Sequence, residues 1–201
     1  AKAKPDVVVI FYNDHGLNFF LDKMPTFAVG AAPEYRSTDE GWGIPTMPAF
    51  PGEQALSWHL IESLVGENFD ITTCQEMVVD HAFTLPMALL WPDQKWPVKV
   101  VPVCINTVQF PLPSAARCYA LGEAVGRAVR SWDSDARVLL MGTGGLSHQL
   151  EGQRAGFINK DFDLRFMESL VRDPQWATRY TVPELVERAG TQGIELLMWL
   201  V

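Results

Sequence analysis

The run Val7-Val8-Val9-Ile10-Phe11-Tyr12 constrains this chain more than any other stretch. Six apolar residues in a row, mostly β-branched or aromatic, read as a strand buried on both faces, as inside a parallel or mixed sheet. The run ends at Asn13-Asp14-His15-Gly16, residue types suited to a tight exit from a strand. In open α/β sheets, ligands bind just outside the carboxyl ends of the strands. His15 therefore stands where such a fold puts its chemistry. It can present one imidazole nitrogen to a metal while neighbours hold the other, or be a turn histidine bonded locally. This stretch alone does not choose.

The remaining pattern alternates strands with helices. Thr26–Gly30 reads as a second strand, and the Pro-, Gly- and acid-rich segment 34–52, with Asp39-Glu40-Gly41-Trp42-Gly43 at its centre, reads as one long functional loop. Leu56, Leu60, Ile61 and Leu64 mark a helix over 53–65, with His59 off its apolar stripe and solvated. Segments 69–73 and 77–82 are extended, and 84–90 is a helical turn or two with Pro86 near its start. Strand 98–105 contains Pro102, which hints at an edge or a bulge. Helix 114–132 begins on Ser114 as N-cap, and strand 136–142 runs into Thr143-Gly144-Gly145-Leu146-Ser147-His148. Helices follow over 159–172, 182–189 and 193–201. The expected fold is α/β, a single domain over residues 1–201 with a central mixed, largely buried sheet flanked by helices.

Composition excludes several function classes. A net charge of -8 leaves no basic stripe to neutralise a nucleic-acid backbone. No apolar run reaches membrane-spanning length. Cys74, Cys104 and Cys118 are far apart, as expected of buried thiols in a reducing compartment, which points to the cytoplasm. Ser147 beside His148 is a poor nucleophile–base pair, since adjacent residues rarely face each other and Gly-x-Ser-x-Gly is absent.

His15, His81 and His148 each follow a strand-like run. Glu195 is the one acid in an apolar helix, so it must be paired, protonated or metal-bound, unless it meets an arginine or faces solvent. Gly142, Gly144 and Gly145 allow positive φ and close approach of the backbone to a ligand.

Six motifs, in order along nearly the whole chain, resemble the class III extradiol ring-cleaving dioxygenases. They are Tyr12-Asn13-Asp14-His15, Asp39-Glu40-Gly41-Trp42-Gly43, Val79-Asp80-His81, Gly142 to Gln149, Arg154 to Asn159, and Glu195-Leu196-Leu197-Met198-Trp199-Leu200. The likeness is to the β (catalytic) subunit of the protocatechuate 4,5-dioxygenases and to the gallate and 3-O-methylgallate enzymes. It implies a non-haem Fe(II) held by two histidines and one glutamate, with His15 as one histidine ligand and Glu195 as the carboxylate. It further implies His148 as the acid/base and His81 as a residue lining the substrate pocket. The implied reaction inserts both atoms of O2 into a carboxylated catechol, in the breakdown of lignin-derived aromatic acids.

The family's other histidine ligand belongs to a Ser-His-x-Pro-like segment before the first strand, and the family continues beyond the Met-Trp-Leu helix. The resemblance thus implies that this chain lacks N-terminal and C-terminal portions of the family domain, one iron ligand among them. A small α subunit and a homo- or hetero-oligomer are the partners it suggests. Two other readings compete: a catalytically silent homologue that binds an aromatic acid or a partner protein, and a zinc hydrolase, for which the His-Glu-x-x-His spacing is absent.

Overall fold

The computed structural model of the chain describes residues 3–41, 43–191 and 193–201; Trp42, at the centre of the expected loop, lies outside them. Strand β1 (Val7–Tyr12) is buried at every position. After it come β2 (Phe27–Gly30), β3 (Glu34–Ser37), β4 (Phe50–Pro51) and α1 (Gln54–Gly66), then β5 (Thr72–Cys74), β6 (Val78–Val79) and α2 (His81–Leu90). The chain continues through β7 (Lys99–Ile105), α3 (Ala115–Ser131), β8 (Val138–Gly142), α4 (Lys160–Arg172), α5 (Val182–Ala189) and α6 (Leu196–Leu200).

The main sheet has the order β5-β2-β7-β1-β8, and β4-β3-β6 form a smaller one. β1 runs parallel to β7 and β8, whereas β2 is parallel to β5 and antiparallel to β7, so the sheet is mixed as expected. The alternation of β1 divides the core. Val7, Val9 and Phe11 pack with Leu56, Leu60 and Leu64 of α1, Leu121 of α3 and Leu197 of α6. Val8, Ile10 and Tyr12 pack on the opposite face with Tyr35, Phe50, Phe83 and Met87. Each of the fully buried leucines contributes about 1.5–3 kcal/mol relative to an exposed one. The all-apolar run is thus covered on both faces, and the parallel carboxyl ends of β7, β1 and β8 share one rim of the sheet.

Helix starts follow their caps. Ser114 accepts from Arg117 N, Asn159 accepts from Phe162 N, and Thr181 with Glu184 closes a capping box on α5. Elsewhere the structure corrects the sequence reading. Segment 34–52 is no bare loop, since it carries β3 and β4. α2 starts at His81 instead of Thr84, because the Asp80 side chain accepts from Ala82 N and caps it; Pro86 then falls inside the helix. His59 is half-buried, not simply solvated: its Nε2 bonds to Ala128 O at 2.9 Å and ties α1 to α3.

Pro102 lies within a central strand, not an edge, yet its missing N–H faces a gap. Val100 O accepts from Glu53 N, so alternate residues of β7, Pro102 among them, turn their polar groups away from β1. On that side the ladder with β2 begins only at Val103. The three cysteines are free and buried, and burial pushes the Cys74 thiol up to about 11 and Cys118 to about 12. Among the described residues, no helix is long and apolar enough to cross a membrane.

Candidate functional site

His15 leaves the end of β1 and meets a buried carboxylate from another part of the chain. Asp80 Oδ2 accepts from His15 N at 2.8 Å and from His15 Nδ1 at 2.9 Å. A carboxylate only accepts, so the neutral ring carries its proton on Nδ1 and its lone pair on Nε2. Asn13 Nδ2 donates to that Nε2 at 3.2 Å, consistent with the same tautomer. Burial works against the His15 cation, but the hydrogen bond and charge of Asp80, with Glu195 and Glu40 adding charge, raise its pKa above the usual histidine value.

His81 repeats the device. Glu40 Oε2 bonds to its Nδ1 at 2.7 Å, and Glu40 Oε1 accepts from its backbone N at 2.7 Å. The His15 and His81 rings stack with centroids 4.3 Å apart and planes at 30°. Ligand atoms of His15, Asp80 and His81 lie within 4.8 Å of one another, which makes a possible metal-binding group. Both Asp80 oxygens are already engaged, Oδ2 by His15 and Oδ1 by Ala82 N. Asp80 therefore orients His15 in this geometry, as carboxylates do behind metal-binding histidines.

The other half of the site comes from the loop after β8 and the start of α6. Glu195 stands at the N-terminal boundary of α6, not in the middle of an apolar helix. Its carboxylate meets His148, not an arginine, and it is largely shielded from solvent. Gly145 N donates to Glu195 Oε2, and Oε1 lies 3.6 Å from His148 Nε2. His148 Nδ1 donates to Leu146 O at 3.0 Å, which again leaves Nε2 as the basic nitrogen. Thr191 Oγ1 accepts from His148 N and donates to His148 O, fixing the backbone.

Gly144 is required here. It sits at φ +93, and a Cβ on it would meet Met198 Cε at 2.6 Å and Glu195 Oε2 at 2.7 Å. Ser147 is committed elsewhere: its hydroxyl donates to Asp163 and accepts from Asn159 N, so it is no nucleophile.

The structure thus brings His15, His81, His148 and Glu195 to one region at the carboxyl ends of β1 and β8. A cavity of about 580 Å³ opens beside His15 and His81, which line it together with Phe19, Phe20, Met24 and Val108. Its described lining includes no Lys or Arg. Sequence reasoning gave Asp80 and Glu40 no role. Each lies in a quoted motif, but they pair with histidines 65 and 41 positions away, a distance no local pattern reveals.

Fold and site define a class. Residues 1–201 match the family described as "Catalytic LigB subunit of aromatic ring-opening dioxygenase", and the chain belongs to that family. It is similar to a gallate dioxygenase of Pseudomonas putida, 41% identical over 164 residues, which cover 81% of this chain and 48% of the relative. A 2,3-dihydroxyphenylpropionate/2,3-dihydroxicinnamic acid 1,2-dioxygenase of Photorhabdus laumondii is 40% identical over 146 residues, 72% of this chain and 43% of that protein. The Comamonas testosteroni protein of the same name is 36% identical over 150 residues, 72% and 44%. The chain spans a little under half the length of these curated relatives.

Proposed function

We propose that this chain carries the catalytic core of an Fe(II)-dependent extradiol dioxygenase that opens the ring of a carboxylated catechol. The observation that carries the proposal is the meeting of His15, His148 and Glu195 at one rim of the sheet, with the lone pair of both imidazoles on Nε2, that of His15 accepting only from Asn13 Nδ2. The donor set fits a divalent first-row metal: imidazole nitrogen backed by a carboxylate, and a carboxylate oxygen within reach. His15 Nε2 and Glu195 would hold the ion, and the further histidine that the family resemblance implies would come from polypeptide beyond these residues. Bound iron would supply the Lewis-acid and redox chemistry that joins O2 to an electron-rich ring.

The chain's own residues then have separable tasks. Phe19, Phe20, Met24 and Val108 offer the ring an apolar wall. His81, its Nδ1 held by Glu40, turns Nε2 toward a substrate hydroxyl as hydrogen-bond partner. His148 takes a proton at Nε2 and returns it later, the general acid–base role for which imidazole is the side chain used most often. Protocatechuate, gallate and 3-O-methylgallate are the candidate substrates, with gallate favoured by the likeness to the gallate dioxygenase. Because no cation lines the described cavity, a substrate carboxylate would be paired by further polypeptide, a small α subunit or a second copy. The buried thiols suit the cytoplasm. A silent homologue finds no support among the relatives, which are named as dioxygenases.

Oxygen uptake after anaerobic Fe(II) loading of the longest native form, with the three catechols offered in turn, tests the proposal. Uptake with a yellow ring-opened product is expected. Iron bound without uptake on any catechol would sink the assigned reaction, and zinc-supported hydrolysis without uptake would replace it.

A further inference from the structure

Asn18 has no part in the chemistry above, yet its side-chain amide is fully engaged. Nδ2 donates to Asp14 Oδ1 at 2.6 Å and to Val78 O at 2.9 Å, while Oδ1 accepts from Val78 N at 2.9 Å. A carboxylate and a carbonyl only accept and a backbone N–H only donates, so one amide orientation satisfies all three partners. The paired bonds to Val78 imitate what a neighbouring strand would give β6, the edge strand of the small sheet.

Asp14 is the hub of the loop that carries His15. Its carboxylate, almost wholly buried, accepts from the backbone N–H groups of Gly16, Leu17, Asn18 and Phe19. Residues 14–19 therefore form one rigid unit, from which Gly16 and Phe19 wall the cavity, with Phe20 and Leu21 following directly in the chain. β6 in turn leads through Val79 directly to Asp80 and His81. The two histidine-bearing segments are thus joined at two points: Asp80 on His15, and Asn18 on Val78. One joint would leave a pivot; two fix the angle as well as the distance.

We propose that Asn18 is a positioning residue, whose amide clamps the His15 loop to β6 and sets the cavity's aromatic wall against the stacked His15–His81 pair. Its effect on substrate rests on the reading of the cavity as the catechol site; the clamp itself does not.

The test uses Asn18→Ala in the longest native form, studied well below its Tm, with Asn18→Gln as the variant to read should the alanine form not fold. Two readouts are taken: the KM and kcat for the best catechol, and the imidazole NMR resonances of His15 and His81 in metal-free protein. KM is expected to rise about tenfold, the loss of roughly one charge-linked hydrogen bond, with kcat changed less than about twofold. Both imidazoles are expected to shift together. A folded variant with unchanged KM and unmoved imidazoles would overturn the clamp, and so would a fall in Tm alone. If the wild type turns over no catechol, the functional reading fails, and the imidazole shifts still decide the clamp.

Discussion

The two halves of the site hold their histidines by opposite means. On the β1 side, His15 and His81 are each fixed at ring and backbone by one carboxylate, Asp80 or Glu40. On the β8 side, no carboxylate does this: His148 and Glu195 are held by Leu146 O, Gly145 N, the Thr191 hydroxyl and the close approach that Gly144 permits. Side-chain carboxylates lock a tautomer and raise the basicity of the free nitrogen, which suits a fixed ligand. The Leu146 carbonyl positions the His148 ring without adding charge at its Nδ1, and Nε2 stands 3.6 Å from Glu195. Under the proposed function, His15 of the first half and Glu195 of the second would hold the ion, and His148 would move the proton.

Breaking the first half should cost most. Asp80→Ala removes both bonds to His15 and the cap of α2, leaving a buried site uncompensated. A loss of about 2–4 kcal/mol in urea denaturation is expected, together with a fall of about 10- to 100-fold in Co(II) affinity by titration. Unchanged metal affinity would mean that Asp80 only caps the helix.

Gly144→Ala attacks the second half. The strained φ and the clash with Met198 and Glu195 should cost about 1–3 kcal/mol by the same denaturation assay. Metal affinity and turnover should fall together, since Glu195, proposed as a ligand, must shift. An alanine variant with wild-type stability and turnover would show that the close approach is unnecessary.

The smallest effect separates the halves by pH. His15 has a folded pKa above its unfolded value, so its contribution to stability is full below the unfolded pKa and disappears as pH rises through the folded one. Metal-free protein should therefore lose stability on going from pH 6 to pH 8.5, by less than about 1 kcal/mol because the ring is a third exposed. His15→Gln should flatten that part of the Tm profile, and an equal slope in the variant would assign the effect elsewhere. A divalent ion at His15 should bind more weakly over the same range as pH is lowered.

Much of the scaffold was legible because its signals are local. β1 declared itself by an unbroken apolar run, and α3, α4 and α5 by caps and periodic apolar residues. β3 and β4 were hidden, since Glu34–Ser37 and Phe50–Pro51 are too short to show a period within a Pro- and Gly-rich stretch. The start of α2 is masked because Pro86 suggests a helix beginning near it, whereas the capping residue, Asp80, stands earlier. The site divides the same way. His15, His81, His148 and Glu195 stand out by residue type and motif, whereas Asp80, Glu40 and Asn18 act across contacts that exist only after folding.

The most direct test of this division is a paired measurement on His148→Ala: Fe(II) titration under anaerobic conditions, and oxygen uptake with the best catechol. Iron affinity close to wild type with uptake reduced by about 10²- to 10⁴-fold is the expected result. Iron affinity and uptake falling together would contradict it, placing His148 among the groups that hold the metal.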